Sequence, residues 1–203
     1  VEGCGLWFDH HLSEKERLQL EGRFKGRSEM VQSAARVIYN YYLFLGKLGR
    51  FEEMLRFVDK VDSADLTEDE ILNPEGWVLL GFICDPRTGL SHVEGFRVEM
   101  VDHIRKKSIT DILALDDVKE RIEKYFEFNN SFRDHLLAHS HRDGPVVITD
   151  SRNHSDIPPG NRFLIYSLFP EANISIRILN AHEGKDLISV GYSVTNRTSN
   201  VNV

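Results

Sequence analysis

The 203-residue sequence predicts an α/β protein built in two parts, on three observations. The apolar run Leu6-Trp7-Phe8 reads as a buried strand and ends abruptly in Asp9-His10-His11. Amphipathic helical stripes then fill the first two-thirds of the chain. Past His141 the texture changes to short β-branched runs separated by turns. A helix-rich part followed by a strand-rich part places a domain boundary near His141 to Gly144. Residues 1–141 form the larger α/β part, with a parallel sheet and helices, and residues 142–203 a smaller mixed α/β domain.

Each element has its own signal. Val31 to Leu48 carries Val31, Ala35, Ile38, Tyr42 and Leu45 on one helical stripe, punctuated by Gly46 and Gly49. Phe51 to Val61 repeats the pattern through Phe51, Leu55, Val58 and Val61. Trp77 to Cys84 is a short apolar run that suits a buried helix or a strand, and its length does not decide between them. Val118 to Ala138 is a helix with Val118, Ile122, Tyr125, Phe126, Phe132, Leu136 and Leu137 near one face, and Asp116 and Asp117 complement its N-terminal dipole. Pro145 to Thr149, Arg162 to Leu168, Ile174 to Leu179 and Leu187 to Val194 read as strands, with turns at Pro158-Pro159-Gly160 and Glu183-Gly184.

Composition narrows the function classes. Hydrophobic content of 41% and charged content of 28% are those of an ordinary soluble globular protein. No apolar run approaches the roughly 20 residues of a membrane span. Cys4 and Cys84 are too few for a disulfide framework and lack zinc-site spacing, which predicts reduced thiols and a cytoplasmic location. The formal charge of −7, with acidic and basic residues interspersed as in Glu14-Lys15-Glu16-Arg17, argues against binding duplex nucleic acid. A small anionic substrate held by metals and a few cations remains compatible.

The chemistry concentrates after the first strand. In open α/β sheets ligands bind just beyond the carboxyl ends of strands, where Asp9, His10 and His11 fall. A neutral imidazole there can ligate a metal, while an adjacent Asp accepts its other N–H. A polar turn after a strand would use the same residue types. Further on, Val58-Asp59-Lys60-Val61-Asp62-Ser63-Ala64-Asp65 ends a helix in an acidic cluster, which also reads as a plain helix end leading into the N-cap Thr67. His135, His139 and His141 lack the His-Glu-x-x-His arrangement of a zinc protease and suit a helix C-terminus. No nucleophile elbow, phosphate loop or dinucleotide fingerprint is present.

Asp9-His10-His11 after an apolar strand, followed by Leu12-Ser13-Glu14, resembles the signature of the DHH phosphoesterases, metal-dependent hydrolases of phosphodiester and phosphoanhydride bonds. With Asn73-Pro74-Glu75-Gly76-Trp77 and Asp85-Pro86-Arg87-Thr88-Gly89, the chain is similar to the bacterial exopolyphosphatase-related subgroup. The family's Asp-x-Asp motif would lie upstream of Val1 and its glycine-rich His motif beyond Val203, so the expectation is a fragment of a longer protein. Residues 1–203 alone should bind metal poorly and hydrolyse little.

The resemblance implies a partial DHH catalytic domain over 1–141, including a linker helix, and part of a smaller substrate-binding domain over 142–203. It implies that His10 ligates a metal of a dinuclear Mn2+ or Mg2+ site and that His11 and Asp9 act beside it. Asp62, 52 residues after His10, is the expected downstream ligand. Asp85, at the end of the apolar run Trp77 to Cys84, is the rival for that role. Ser193-Val194-Thr195-Asn196-Arg197-Thr198-Ser199 resembles the family's Arg-Ser segment and implies Arg197, with Asn196 and Thr198, as substrate ligands. The implied activity is hydrolysis of short oligonucleotides, nucleotides or polyphosphate by a metal-activated water, with a homodimer as a possible assembly. The rival reading is a non-catalytic nucleotide-binding or regulatory module that keeps the fold.

Overall fold

The computed structural model describes residues 5–11, 13, 24–90, 93–181 and 185–201. The chain divides into two compact units, 1–65 and 66–203. The architecture is mixed α/β: a small parallel sheet with helices in the first unit, helices and a four-stranded mixed sheet in the second.

In the first unit β1 (Trp7–Asp9) pairs in parallel with β2 (Gly26–Ser28), with Asp9 opposite Ser28. A Cβ on Gly26 would lie 2.0 Å from the Trp7 carbonyl oxygen, and its φ is +122°, so the strand pairing demands glycine here. Phe8 stacks edge-on against Tyr41 of α1 (Ala34–Tyr42), with ring centroids 5.0 Å apart. Ser33 caps α1 by accepting the Arg36 amide at 3.0 Å. The stripe predicted to run to Leu48 ends sooner: Leu43–Leu45 tightens into a 3-10 turn closed by the left-handed Gly46. In α2 (Glu52–Asp62), Glu52 and Glu53 open the helix and Lys60 lies in its last turn, matching the dipole. Val37 and Leu55 are the buried apolar anchors of the two helices.

In the second unit α3 (Glu68–Leu72) starts from a capping box, Thr67 bonding the Glu70 amide while the Glu70 carboxylate returns to the Thr67 amide. The ambiguous run after Trp77 is a helix, α4 (Gly76–Ile83), with Val78, Leu79, Leu80, Phe82 and Ile83 buried. A helix apolar on all sides belongs in a core, and for that reason its periodicity was silent. α5 (Val93–Lys106) and α6 (Ile109–Leu113) precede the 24-residue α7 (Asp116–His139), which buries Val118, Tyr125, Asn129, Phe132 and Leu136 along one stripe.

The chain passes directly from α7 into β3 (Ser140–Asp143). The sheet order is β3, β4 (Val146–Asp150), β5 (Ile174–Asn180) and β6 (Asp186–Tyr192), with only β4 and β5 parallel. Val147 and Thr149 are buried on one face, and Arg177, beside Thr149, lays its guanidinium 5.5 Å from the Phe132 ring, so this face meets α7. On the other face Ile188, Val190 and Tyr192 are exposed, opposite Ile178, Ile176 and Ile174.

Arg162 to Leu168, expected as a strand, is instead helical: α8 (Leu164–Leu168) lies between β4 and β5. Parallel neighbours need a crossover connection, and an α-helix supplies it. Phe163, Leu164, Ile165 and Tyr166 are all buried, which erases the polar positions that mark a helical period. The loop entering α8 is tightly held. The Asn161 amide donates to Asn129 Oδ1 at 3.1 Å, and the Asn161 side chain reaches the Tyr125 hydroxyl and the Phe163 amide. A Cβ on Gly160 would lie 2.4 Å from the Phe132 ring. Among the described residues, no helix is long and apolar enough to cross a membrane.

Candidate functional site

The end of β1 delivers Asp9, His10 and His11 in sequence, and the three side chains take different partners. His10 Nδ1 lies 3.1 Å from the Val31 carbonyl oxygen. A carbonyl only accepts, so Nδ1 carries a proton and Nε2 is the nitrogen left to face another partner. That nitrogen lies 3.4 Å from Asp62 Oδ2, and the His10 side chain is 15% exposed against 48% for Asp62. A ring nitrogen and a carboxylate oxygen at this separation are bridged either by a proton or by a metal cation. The tautomer of His10 is therefore set by a backbone carbonyl rather than by the adjacent carboxylate.

Asp9 serves His11 instead. His11 Nδ1 donates to Asp9 Oδ1 at 2.8 Å, and the two histidine rings stand 4.1 Å apart at 59°. Burial works against ionisation of Asp9, but hydrogen bonds from the His11 ring and from the His11 and His10 backbone outweigh it and hold the carboxyl below its usual range. Its second oxygen, Oδ2, is buried without a hydrogen-bond partner. A buried, orphaned carboxylate oxygen suits a hard divalent cation such as Mn2+ or Mg2+. Among the described residues no group of three His, Cys, Asp or Glu side chains is assembled tightly enough to hold an ion.

The acidic helix end resolves into distinct roles. Asp59 is buried and its carboxylate is saturated: Ser33 Oγ donates to Oδ1 at 2.6 Å, and Arg36 Nε and Nη2 converge on Oδ2 at 2.8 and 2.6 Å. Arg36 Nη1 also donates to both oxygens of Glu52, at 3.1 and 3.2 Å. Asp62, three residues on, faces His10. Ser33 and Arg36 went unnoticed in the sequence; the signal available was an N-cap serine three residues before an arginine on the helix that precedes the acidic cluster.

In the second unit Asp85 caps a 3-10 turn and is gripped by Arg87, whose Nε and Nη2 donate at 2.8 and 2.6 Å. Burial pushes its carboxyl upward, and the Arg87 side chain and amide outweigh that and hold it low. Both oxygens of this rival are engaged locally. Asn196 is also engaged: its side-chain nitrogen reaches the Pro170 and Glu171 carbonyls, and its oxygen accepts the Thr198 hydroxyl at 2.7 Å. Thr198 Oγ1 in turn accepts from Asn173 at 3.1 Å. Arg197 is exposed, with Nε donating to the Val194 carbonyl at 3.4 Å.

His135 and His139 do meet on α7, with ring centroids 4.5 Å apart, and His154, rather than His141, completes the group at 5.7 and 3.9 Å. His135 Nε2 shares a hydrogen bond with Ser151 Oγ at 2.9 Å.

No family model matches the chain, and no curated protein sequence matches it. Among solved structures it is similar to a pGpG-specific phosphodiesterase, PggH from Vibrio cholerae, with 34% sequence identity and a TM-score of 0.79. The match covers 96% of this chain and 65% of that one.

Proposed function

We propose that this chain is part of a DHH-type, metal-dependent phosphodiesterase that hydrolyses short oligonucleotides of the pGpG kind. The observation that carries this reading is the His10–Asp62 pair, an imidazole nitrogen 3.4 Å from a carboxylate oxygen just past the carboxyl end of a strand. Similarity to a pGpG-specific phosphodiesterase over nearly the whole chain supports the substrate class. The net charge of −7 and the dispersed cations disfavour a long polyanion and leave room for a short one.

In this reading His10 Nε2 and Asp62 hold metal in a dinuclear Mn2+ or Mg2+ site, and Asp9 acts beside them as the partner of His11. Bound there, the metals supply Lewis acidity and a water of lowered pKa. His11, oriented through Nδ1 by Asp9 and 61% exposed, acts at the substrate phosphate or supports the metal ligands. Arg197 offers a planar fork for a substrate phosphate.

The test is Mn2+-dependent release of nucleoside monophosphate from pGpG by the protein at its natural full length, run beside polyphosphate. Hydrolysis of pGpG that falls at least about 100-fold in His10→Ala is expected, because removing a metal ligand removes both the Lewis acid and the nucleophile. Phosphate release from polyphosphate alone would replace the substrate class. Unchanged turnover in His10→Ala would reject the site.

A further inference from the structure

We propose that Arg36 is a positioning residue: by clamping α2 through Asp59 and Glu52 it sets the Asp62 carboxylate against His10. The inference rests on the metal-site reading above and extends it to a residue on a different helix.

The geometry forms a closed circuit within the first unit. His10 is oriented through Nδ1 by the Val31 carbonyl. Two residues later Ser33 caps α1 and donates its hydroxyl to Asp59. Arg36, in the first turn of α1, grips Asp59 with two nitrogens and Glu52 with a third. Asp59 lies three residues before Asp62 on α2, and Asp62 closes the circuit on His10 Nε2. One short segment, 31–36, therefore touches His10 directly and grips, through Asp59 and Glu52, the helix that carries Asp62.

The clamp has the form needed to fix a helix rather than merely attract it. Glu52 and Asp59 are seven residues apart, two turns on one face and about 10 Å along the axis. Holding both from one guanidinium fixes the rotation of α2 as well as its distance from α1. The Tyr39 hydroxyl adds a hydrogen bond to Glu52, from the same helix as Arg36. Rotation matters because Asp62 sits on a neighbouring face of α2, so a small turn of the helix carries its carboxylate past His10. Burial alone would weaken the Arg36 charge, yet the Asp59 and Glu52 carboxylates outweigh it, as expected of a committed ion pair. A lysine at this position keeps the charge and loses the planar fork, so it cannot hold both carboxylates at once.

The experiment compares wild type, Arg36→Lys, the milder Glu52→Gln and a packing control, Val37→Ala, in the protein at its natural full length. Two readouts are taken: the imidazole nitrogen resonances of His10, assigned with His10→Ala and recorded without metal, and Mn2+ affinity by calorimetric titration. Arg36→Lys should shift the His10 resonances and weaken Mn2+ binding about 10- to 100-fold, the range typical of losing a group that orients a metal ligand. Glu52→Gln should move both in the same direction by less. Val37→Ala should lower the thermal midpoint and leave both readouts in place. His10 resonances that superimpose on wild type in Arg36→Lys, or that move equally in Val37→Ala, would overturn the proposal. Shifted resonances together with Mn2+ binding that is indifferent to His10→Ala would leave the clamp standing and reject the metal reading instead.

Discussion

Asp59 and Asp62 sit three residues apart on α2 in opposite circumstances, one saturated by Ser33 and Arg36, the other half-exposed beside the His10 imidazole. Their different standing was legible in part, because Asp62 follows Val58 and Val61 toward the end of the helix whereas Asp59 lies a turn earlier. What was not legible was the partner, since Arg36 comes from a helix 23 residues upstream and no spacing rule connects them. His154 escaped for the same reason: it lies on the loop after β4, and only the fold brings it 3.9 Å from His139. The histidine group has a measurable consequence. Burial first, then the charges of His139, His154 and Arg177, holds the His135 pKa below its usual value. As pH falls, the unfolded chain therefore takes up this proton before the folded one does. The contribution to stability is complete above the ordinary histidine pKa of about 6.5 and is lost as pH falls through the depressed folded value. The thermal midpoint should drop between about pH 7 and pH 5, and His135→Gln, which can still bond Ser151, should flatten that slope. An unaltered slope in the variant would assign the pH dependence to other groups.

At the scale of elements, α1, α2 and α7 with their polar faces were readable, those buried on all sides were not, and the largely exposed α5 and β3 were passed over. α1, α2 and α7 declared themselves by period, and β4, β5 and β6 by β-branched runs between turns. α4 and α8 are short, apolar and enclosed, so neither period survives; α8 was read as a strand although it joins parallel β4 and β5. The turn at Pro158-Pro159-Gly160 was legible as a turn, but its role in docking the α8 entry onto α7 was not. A Cβ at Gly160 would press within 2.4 to 2.6 Å of three Phe132 atoms, and Phe132 is itself buried and cannot swing aside. Gly160→Ala should destabilise the fold by about 1–3 kcal/mol, the usual cost of overpacking. Chemical denaturation would show it, and Phe132→Leu in the same chain should restore part of the loss. A midpoint equal to wild type would mean that the loop yields at little cost.

For the whole molecule, the mixed α/β class was open to composition and pattern, whereas the compact units 1–65 and 66–203 emerged only from three-dimensional packing. The change of texture near His141 marks where α7 gives way to sheet. Phe132 of α7 and Arg177 of β5 share one interior there. The last strand of that sheet has a bearing on how the isolated chain behaves in a tube. β6 stands at the end of the strand order with Leu187, Ile188, Val190 and Tyr192 exposed, which joins sticky side chains to a sheet margin able to template a further strand. Colloidal behaviour should follow: residues 1–203 alone should self-associate as concentration rises, and Val190→Lys should suppress it by placing a charge that pairing would have to bury. Sedimentation velocity over a concentration series reads this directly, and identical profiles for the two proteins would acquit the strand. Any assay of this chain in isolation would then be measuring a population whose size distribution is governed by seven residues at its sheet margin.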